Sequence, residues 1–193
     1  MNLLHVDSSI TGDASASRQL TAAIVSSLTA RDPELRVARR DLQADPVPHL
    51  DVGHLAGLAG GAELKEFLDA EVIVIGAPMY NFTVSSQLKA WLDRLLVAGK
   101  TFRYTAEGSE GLAGGRTVIV ASSRGGLYAV GGPQAAADFQ EPFLRQIFAF
   151  MGVTDVRFVR AEGLALGPDQ REAAISAALA DIPALAGRLS LAA

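Results

Sequence analysis

Cysteine is absent from all 193 residues, so the chain has no disulfide, no thiolate nucleophile, no dithiol redox couple and no thiolate metal site. Redox chemistry on such a chain needs a borrowed cofactor. Runs of like charge and low-complexity tracts are also missing, and 49% hydrophobic against 20% charged residues sets aside the disordered and fibrous classes. A formal net charge of -4 provides no basic footing for nucleic acid or for an anionic membrane surface, which leaves small molecules as the expected partners. No apolar stretch approaches bilayer-spanning length, and the opening Met1-Asn2-Leu3-Leu4-His5-Val6-Asp7 meets an acid too early for a signal sequence. A cytoplasmic protein is expected, and the length suits one domain with one substantial core.

What is present is a regular alternation of short apolar runs with helix-like segments, the pattern of an α/β domain whose parallel sheet is covered on both faces. The spacing predicts strands at roughly 2–7, 35–40, 71–77, 116–122 and 155–160. The first, third and fourth are almost continuously apolar, as doubly covered strands must be. The second carries Arg36, Arg39 and Arg40 and the fifth Arg157 and Arg160, which marks both as edges. Right-handed crossovers between such strands give the doubly wound, flavodoxin-like order 2-1-3-4-5. A topological switch point then falls between strands one and three, and ligands of open α/β sheets bind outside the carboxyl ends of strands at that point.

Helical spacing of Leu20, Ile24 and Leu28, and of Leu88, Leu92, Leu95 and Leu96 beside Trp91, predicts helices that cover the sheet. The last segment, about 168–187, reads as a packing helix with Ile175, Leu179 and Ile182 on one face. Phe139, Phe143, Leu144, Ile147, Phe148, Phe150 and Met151 spread apolar surface over more of a helix than one sheet contact uses, which suggests a subunit interface.

Three loops at the expected carboxyl edge are unusual. After the first strand come Ser8-Ser9-Ile10-Thr11-Gly12-Asp13-Ala14-Ser15-Ala16-Ser17-Arg18, hydroxyl-dense and running straight into a helix. A helix amino terminus exposes unpaired N–H groups, so such a loop suits a phosphate monoester. No Gly-x-x-x-x-Gly-Lys or Gly-x-Gly-x-x-Gly is found there, which favours a resident mononucleotide over a triphosphate or dinucleotide. Taken alone, the loop is explained more simply by Ser15 or Ser17 capping the helix. After the third strand, Ala77-Pro78-Met79-Tyr80-Asn81-Phe82-Thr83 offers apolar and amide groups as a rim for a flat heteroaromatic ring, or else an ordinary helix-start turn. After the fourth, Ser122-Ser123-Arg124-Gly125-Gly126 lets backbone N–H groups approach a ligand closely, or simply turns the chain. Between Gly99 and Gly115 the connection is longer than a helix-to-strand turn needs, as functional lids often are; Phe102 and Tyr104 either bring an aromatic wall to the site or simply pack on the surface. His5 reads as a core residue, and His49 and His54 lack further ligands, so no metal is expected.

Residues 7–17, the run from Ala77 through Phe82 and on to Ser86-Gln87-Leu88-Lys89, Thr101-Phe102-Arg103-Tyr104-Thr105, Ser123-Arg124-Gly125-Gly126, Gly152-Val153-Thr154-Asp155-Val156 and Ala161-Glu162-Gly163 together closely resemble the FMN-dependent NADH-azoreductases, also described as NADH:quinone oxidoreductases. The resemblance spans essentially the whole chain. It implies a flavodoxin-like homodimer with non-covalent FMN at the subunit interface and NADH or NADPH as reductant. It implies further that Ser9, Ser15, Ala16 and Ser17 hold the FMN phosphate, that Met79, Tyr80, Asn81 and Phe82 meet the polar edge of the ring, and that Ser123, Arg124, Gly125 and Gly126 take its other side. Tyr104, and Phe150 of the second subunit, are implied to line the acceptor pocket. Between about residues 50 and 71 the chain is shorter than is usual for the family, which makes quinones at least as plausible as azo compounds.

The resulting expectation is a ping-pong exchange of reducing equivalents from NAD(P)H to a quinone or azo acceptor, with no catalytic acid demanded of the protein. Two other classes stay open. A flavodoxin-type electron carrier would usually show a strongly acidic docking surface. A hydrolase, such as the acyl-carrier-protein phosphodiesterase label attached to relatives, would need a nucleophile with a base or a metal.

Overall fold

A computed structural model of the protein describes residues 1–55 and 57–189. Its elements run β1 (Asn2–Asp7), α1 (Ala16–Arg31), β2 (Arg36–Asp41), α2 (Val52–Leu55), α3 (Ala62–Asp69), β3 (Val72–Pro78), α4 (Ser86–Leu95), β4 (Phe102–Thr105), β5 (Gly108–Gly111), β6 (Thr117–Ser123), α5 (Gln140–Phe150), β7 (Asp155–Ala161) and α6 (Pro168–Gly187). The main sheet is parallel throughout, in the order β2-β1-β3-β6-β7. With β6 and β7 as the fourth and fifth apolar runs, this is the expected 2-1-3-4-5 order, and the arginine-bearing strands lie at the two edges.

Period-two alternation divides the central strands between two cores. Leu4, Val6, Ile73, Ile75, Val118 and Val120 point to the face covered by α3, α4 and α5, where Phe67, Leu88, Trp91, Leu92, Leu144 and Phe148 are buried. Leu3, Val72, Val74, Ile119 and Val159 point to the opposite face, against Leu20, Ile24 and Leu28 of α1 and Ala178, Ile182 and Ala186 of α6. The face of α6 therefore differs from the one expected. Ile182 is buried, Ile175 is half-buried and Leu179 is exposed, because the small alanines at 178 and 186 let the helix approach the sheet along that line instead.

The long connection after α4 is not a loose lid. Residues 102–111 form an antiparallel hairpin, β4 with β5, anchored by Leu112 N–H to Thr101 O at 2.9 Å and Ala113 N–H to Met151 O at 2.8 Å. The hairpin lies directly on the turn after α5: a Cβ added at Gly111 would meet Gly152 N at 2.1 Å, and Gly152 itself has φ +87°. Two glycines thus pass backbone to backbone where no side chain fits. On α5, Leu144, Phe148 and Met151 are in the core, Phe143, Ile147 and Phe150 are half-buried, and Phe139 remains 61% exposed, so apolar surface is left uncovered on this side.

Gly111→Ala is expected to lower the urea midpoint by the equivalent of about 2 kcal/mol or more, because rigid backbone must move. Gly187→Ala, in open space within α6, should leave the midpoint unchanged or raise it by the equivalent of about 0.5 kcal/mol.

Candidate functional site

β1 ends at Asp7, and the chain passes between the strand ends through Ser8, whose hydroxyl donates to Gly76 O at 2.7 Å. Ser9, Ser15 and Ser17 are all buried, although the loop between them carries exposed Ile10, Thr11, Asp13 and Ala14. Ser15 does cap α1, accepting from Arg18 N–H at 3.3 Å, and its hydroxyl also lies 3.0 Å from that of Ser17. With Arg18 N–H capped in this way, the N–H groups of Ala16 and Ser17 open the helix without acceptors in the preceding turn. The loop is clamped by Arg18, which grips Asp41 at 2.6 and 2.7 Å and donates to Ser9 O at 3.0 Å. Beneath it, Asp7 contacts His5 at 3.2 Å, accepts from Thr21 at 2.9 Å and faces Arg18 and Arg39. Burial alone would raise the Asp7 carboxyl, but these neighbours outweigh it and hold the group below its ordinary value. Close packing here needs Gly76, since a Cβ would lie 2.9 Å from Asp7 Oδ1.

After β3 the chain makes a tight reversal: Tyr80 N–H donates to Thr83 O at 2.9 Å and Thr83 N–H returns to Tyr80 O at 3.1 Å. The two central residues, Asn81 and Phe82, have φ of 47° and 73°. Asparagine accepts the left-handed region readily, but a bulky phenylalanine there costs about 1–2 kcal/mol. The turn is held from outside by Met79 N–H to Ser123 O at 2.8 Å and Phe139 N–H to Phe82 O at 3.1 Å. Tyr80 reaches back to the first loop, with its hydroxyl 3.3 Å from Ser9 Oγ and accepting from Ile10 N–H at 3.3 Å.

After β6, Ser123 and Arg124 are buried, Gly125 is exposed and Gly126 half-buried. The Arg124 side chain is fully enclosed. It donates to Ser122 Oγ at 2.9 Å and to Glu141 at 2.7 Å, and stands 3.1 Å from both Glu162 and Asp138. Its guanidinium therefore braces the loop from within, and its backbone is paired as well, with its N–H donating to Ala161 O at 2.9 Å. Glu162 also accepts from Tyr128 N–H at 3.0 Å, and Leu164 and Ala165 donate to Arg124 O and Gly125 O at 3.1 and 3.0 Å.

Two cavities open on this edge, and Met79 and Tyr80 form the wall they share. One, of about 440 Å³, is lined by Ser9, Thr11, Ser15, Ala16, Ser123, Arg124 and Gly125 together with Arg171. The other, of about 770 Å³, is lined by Ile10, Asn81, Thr83, Gln87 and Phe143. Buried hydroxyls, free helix-end N–H groups and a cation fit a phosphate, and the neighbouring amide and apolar rim fits a flat ring. Of the sequence-based candidates, Ser9, Ser15, Ala16, Met79, Tyr80, Asn81, Ser123, Arg124 and Gly125 line one cavity or the other, whereas Ser17, Phe82 and Gly126 sit in the same loops without lining either. Tyr104, 75% exposed, and Phe150 meet instead around Phe102, at centroid distances of 5.4 and 4.7 Å from it, and line neither cavity within one chain. Arg171 was missed, because it lies in the first turn of α6, 157 positions from the loop residue it touches. Among the described residues no group of three or more potential ligating side chains could hold a metal ion.

The sequence profile of a family described by the flavodoxin-like fold matches residues 1–185. A protein of Stenotrophomonas maltophilia (strain K279a), named FMN-dependent NADH:quinone oxidoreductase, is 56% identical over 189 residues, covering 95% of both chains. One of the same name from Methylocella silvestris is 54% identical over 194 residues, covering 92% of this chain and 95% of its own. Among solved structures, an azoreductase from Bacillus anthracis str. Sterne superimposes with a TM-score of 0.89 at 28% identity, covering 98% of this chain and all of that one.

The clamp on the first loop has a pH signature. Hydrogen bonds from Arg18 bring the Asp41 carboxyl down from 3.8 to about 2 in the folded state. A depressed folded value stabilises above the unfolded value, near pH 4, and that stability is lost as pH falls toward 2. Asp41→Asn should be less stable than the parent at neutral pH, and its urea midpoint should drop less between about pH 5 and pH 2. Parallel midpoint curves would show that the pair contributes nothing.

Proposed function

Because this chain belongs to the family of FMN-dependent NADH:quinone oxidoreductases with the flavodoxin-like fold, we propose that it binds FMN non-covalently at the ends of β1, β3 and β6 and passes reducing equivalents from NADH or NADPH to a quinone. Azo compounds form the second acceptor class, in keeping with the azoreductase to which the fold is similar. The observation that carries the proposal is that buried Ser9 and Ser15, on the approach to α1, line a cavity together with Met79 and Tyr80 of the reversal and with Gly125, and that Met79 and Tyr80 also wall the adjoining cavity.

Ser9, Ser15 and Ser17 and the N–H groups of Ala16 and Ser17 hold the phosphate by hydrogen bonds and by the positive end of the α1 dipole. Met79, Tyr80, Asn81 and Phe82 meet the polar edge of the ring, and Ser123, Arg124, Gly125 and Gly126 present backbone to its other side. FMN, when bound, would supply the two-electron chemistry, with nicotinamide and acceptor using the site in turn, as in a ping-pong cycle. The protein then needs no acid of its own. Its N–H groups around Asn81 and Gly125-Gly126 stabilise the negative charge that grows on reduction, as fixed donors do in an oxyanion hole. The hydrogen bonds that hold the strained reversal at Asn81 and Phe82, and the internal brace on Arg124, keep those donors in place before any ligand arrives.

The domain works as a cytoplasmic homodimer in this proposal. Tyr104, and Phe150 from a second copy of the chain, line the acceptor pocket, which accounts for an exposed Tyr104 and for the uncovered apolar surface on α5. Among the described residues no helix is long and apolar enough to cross a membrane. The mild net charge of -4 speaks against a flavodoxin-type carrier that docks by a strongly acidic surface.

Purified protein loaded with FMN should show the oxidised flavin spectrum, bleach on anaerobic mixing with NADH or NADPH, and regain colour when a quinone is added. Failure of both nicotinamides to bleach bound flavin would contradict the proposed function.

A further inference from the structure

The phosphate of FMN carries between about -1.5 and -2 charges at neutral pH, as phosphate monoesters do, and hydroxyls and amides alone leave that charge without a counter-ion. The two arginines that lie beside the loops in sequence are already spent. Arg18 is fixed on Asp41 at 2.6 and 2.7 Å, and Arg124 is enclosed among Asp138, Glu141 and Glu162. Arg171 is differently placed. It projects from the first turn of α6 to the wall of the 440 Å³ cavity, beside Ser9, Thr11, Ser15 and Ala16. Its Nη2 donates to Ala14 O at 2.7 Å, and no carboxylate pairs with it among the described residues. A guanidinium has five N–H donors in a planar fork suited to phosphate, so one bond to a carbonyl aims the group and leaves the rest available.

We propose that Arg171 is the counter-ion of the cofactor phosphate and makes the site select the phosphorylated flavin over the bare one. This rests on the FMN assignment above. Asp13 is the acidic residue of the same loop, and it is exposed, so its charge is screened by solvent. A charge-assisted contact to phosphate acts on FMN and not on riboflavin, which has the same ring and ribityl chain without the phosphate.

The test titrates apoprotein with FMN and, separately, with riboflavin, following quenching of flavin fluorescence, for the parent and for Arg171→Gln and Arg171→Lys. Melting temperatures of the apoproteins report the fold. Glutamine can still donate to Ala14 O but carries no charge. Arg171→Gln should raise the Kd for FMN about tenfold or more while leaving that for riboflavin within about twofold, and should flatten the salt dependence of FMN binding. Arg171→Lys should recover much of the loss. Equal weakening toward both flavins would mean that Arg171 only shapes the loop, and an unchanged Kd for FMN would mean that Arg171 does not pair with the phosphate; either result overturns the inference alone. A parent protein that binds FMN no better than riboflavin would overturn the phosphate assignment as well.

Discussion

Everything at the candidate site follows from one constraint of chain path. All five main strands point the same way, and the chain leaves β1 in one direction to build β2 and then returns past β1 to build β3. The connections at the carboxyl ends of β1 and β3 therefore diverge to opposite faces of the sheet, α1 against one core and α4 against the other, which leaves a crevice between them. What borders that space is then decided by local chemistry: the unpaired amides that begin α1, the hydroxyls that approach it, and the reversal after β3.

Two buried charge clusters keep these borders in register. Asp7, with His5, Thr21, Arg18 and Arg39, ties the end of β1 to α1 and to β2, and Arg18 carries the tie on to Asp41 and the serine loop. On the other side, Arg124 joins β6, the start of α5 and the segment after β7 through three carboxylates. Gln140 extends that link to Ala77 O at 3.0 Å, next to the reversal. Buried ion pairs contribute little net stability, but removing one partner strands the others without compensation, so such clusters hold a single geometry firmly. The left-handed backbone at Asn81 and Phe82 persists within this frame, gripped by Ser123 O and by Phe139 N–H.

The sheet was legible in the sequence because continuous apolar runs mark doubly covered strands and arginines mark the edges, both local signals. The serine loop was legible for the same reason: its hydroxyls and the helix that follows are neighbours in the chain. The hairpin was not. Residues 103–110 are polar and exposed, and what fixes them is the passage of Gly111 over Gly152, a contact that only the folded chain creates. Arg124 entered the site through the family resemblance alone; the carboxylates that enclose its side chain lie 14 to 38 positions on, at 138, 141 and 162, beyond the reach of local pattern. Arg171 belongs to the same class of long-range consequence, as does Phe82, whose left-handed backbone no phenylalanine would announce.

The central claim is that the cofactor's charged tail meets the leading end of α1 while its ring lies against the reversal after β3. Amide chemical-shift mapping of 15N-labelled apoprotein during an FMN titration tests this without reference to turnover. The largest shifts should fall on the N–H groups of Ala16, Ser17 and Arg18, with a second set at Tyr80, Asn81 and Phe82 and at Gly125 and Gly126. Shifts concentrated elsewhere on the sheet, or a second set without the first, would contradict it.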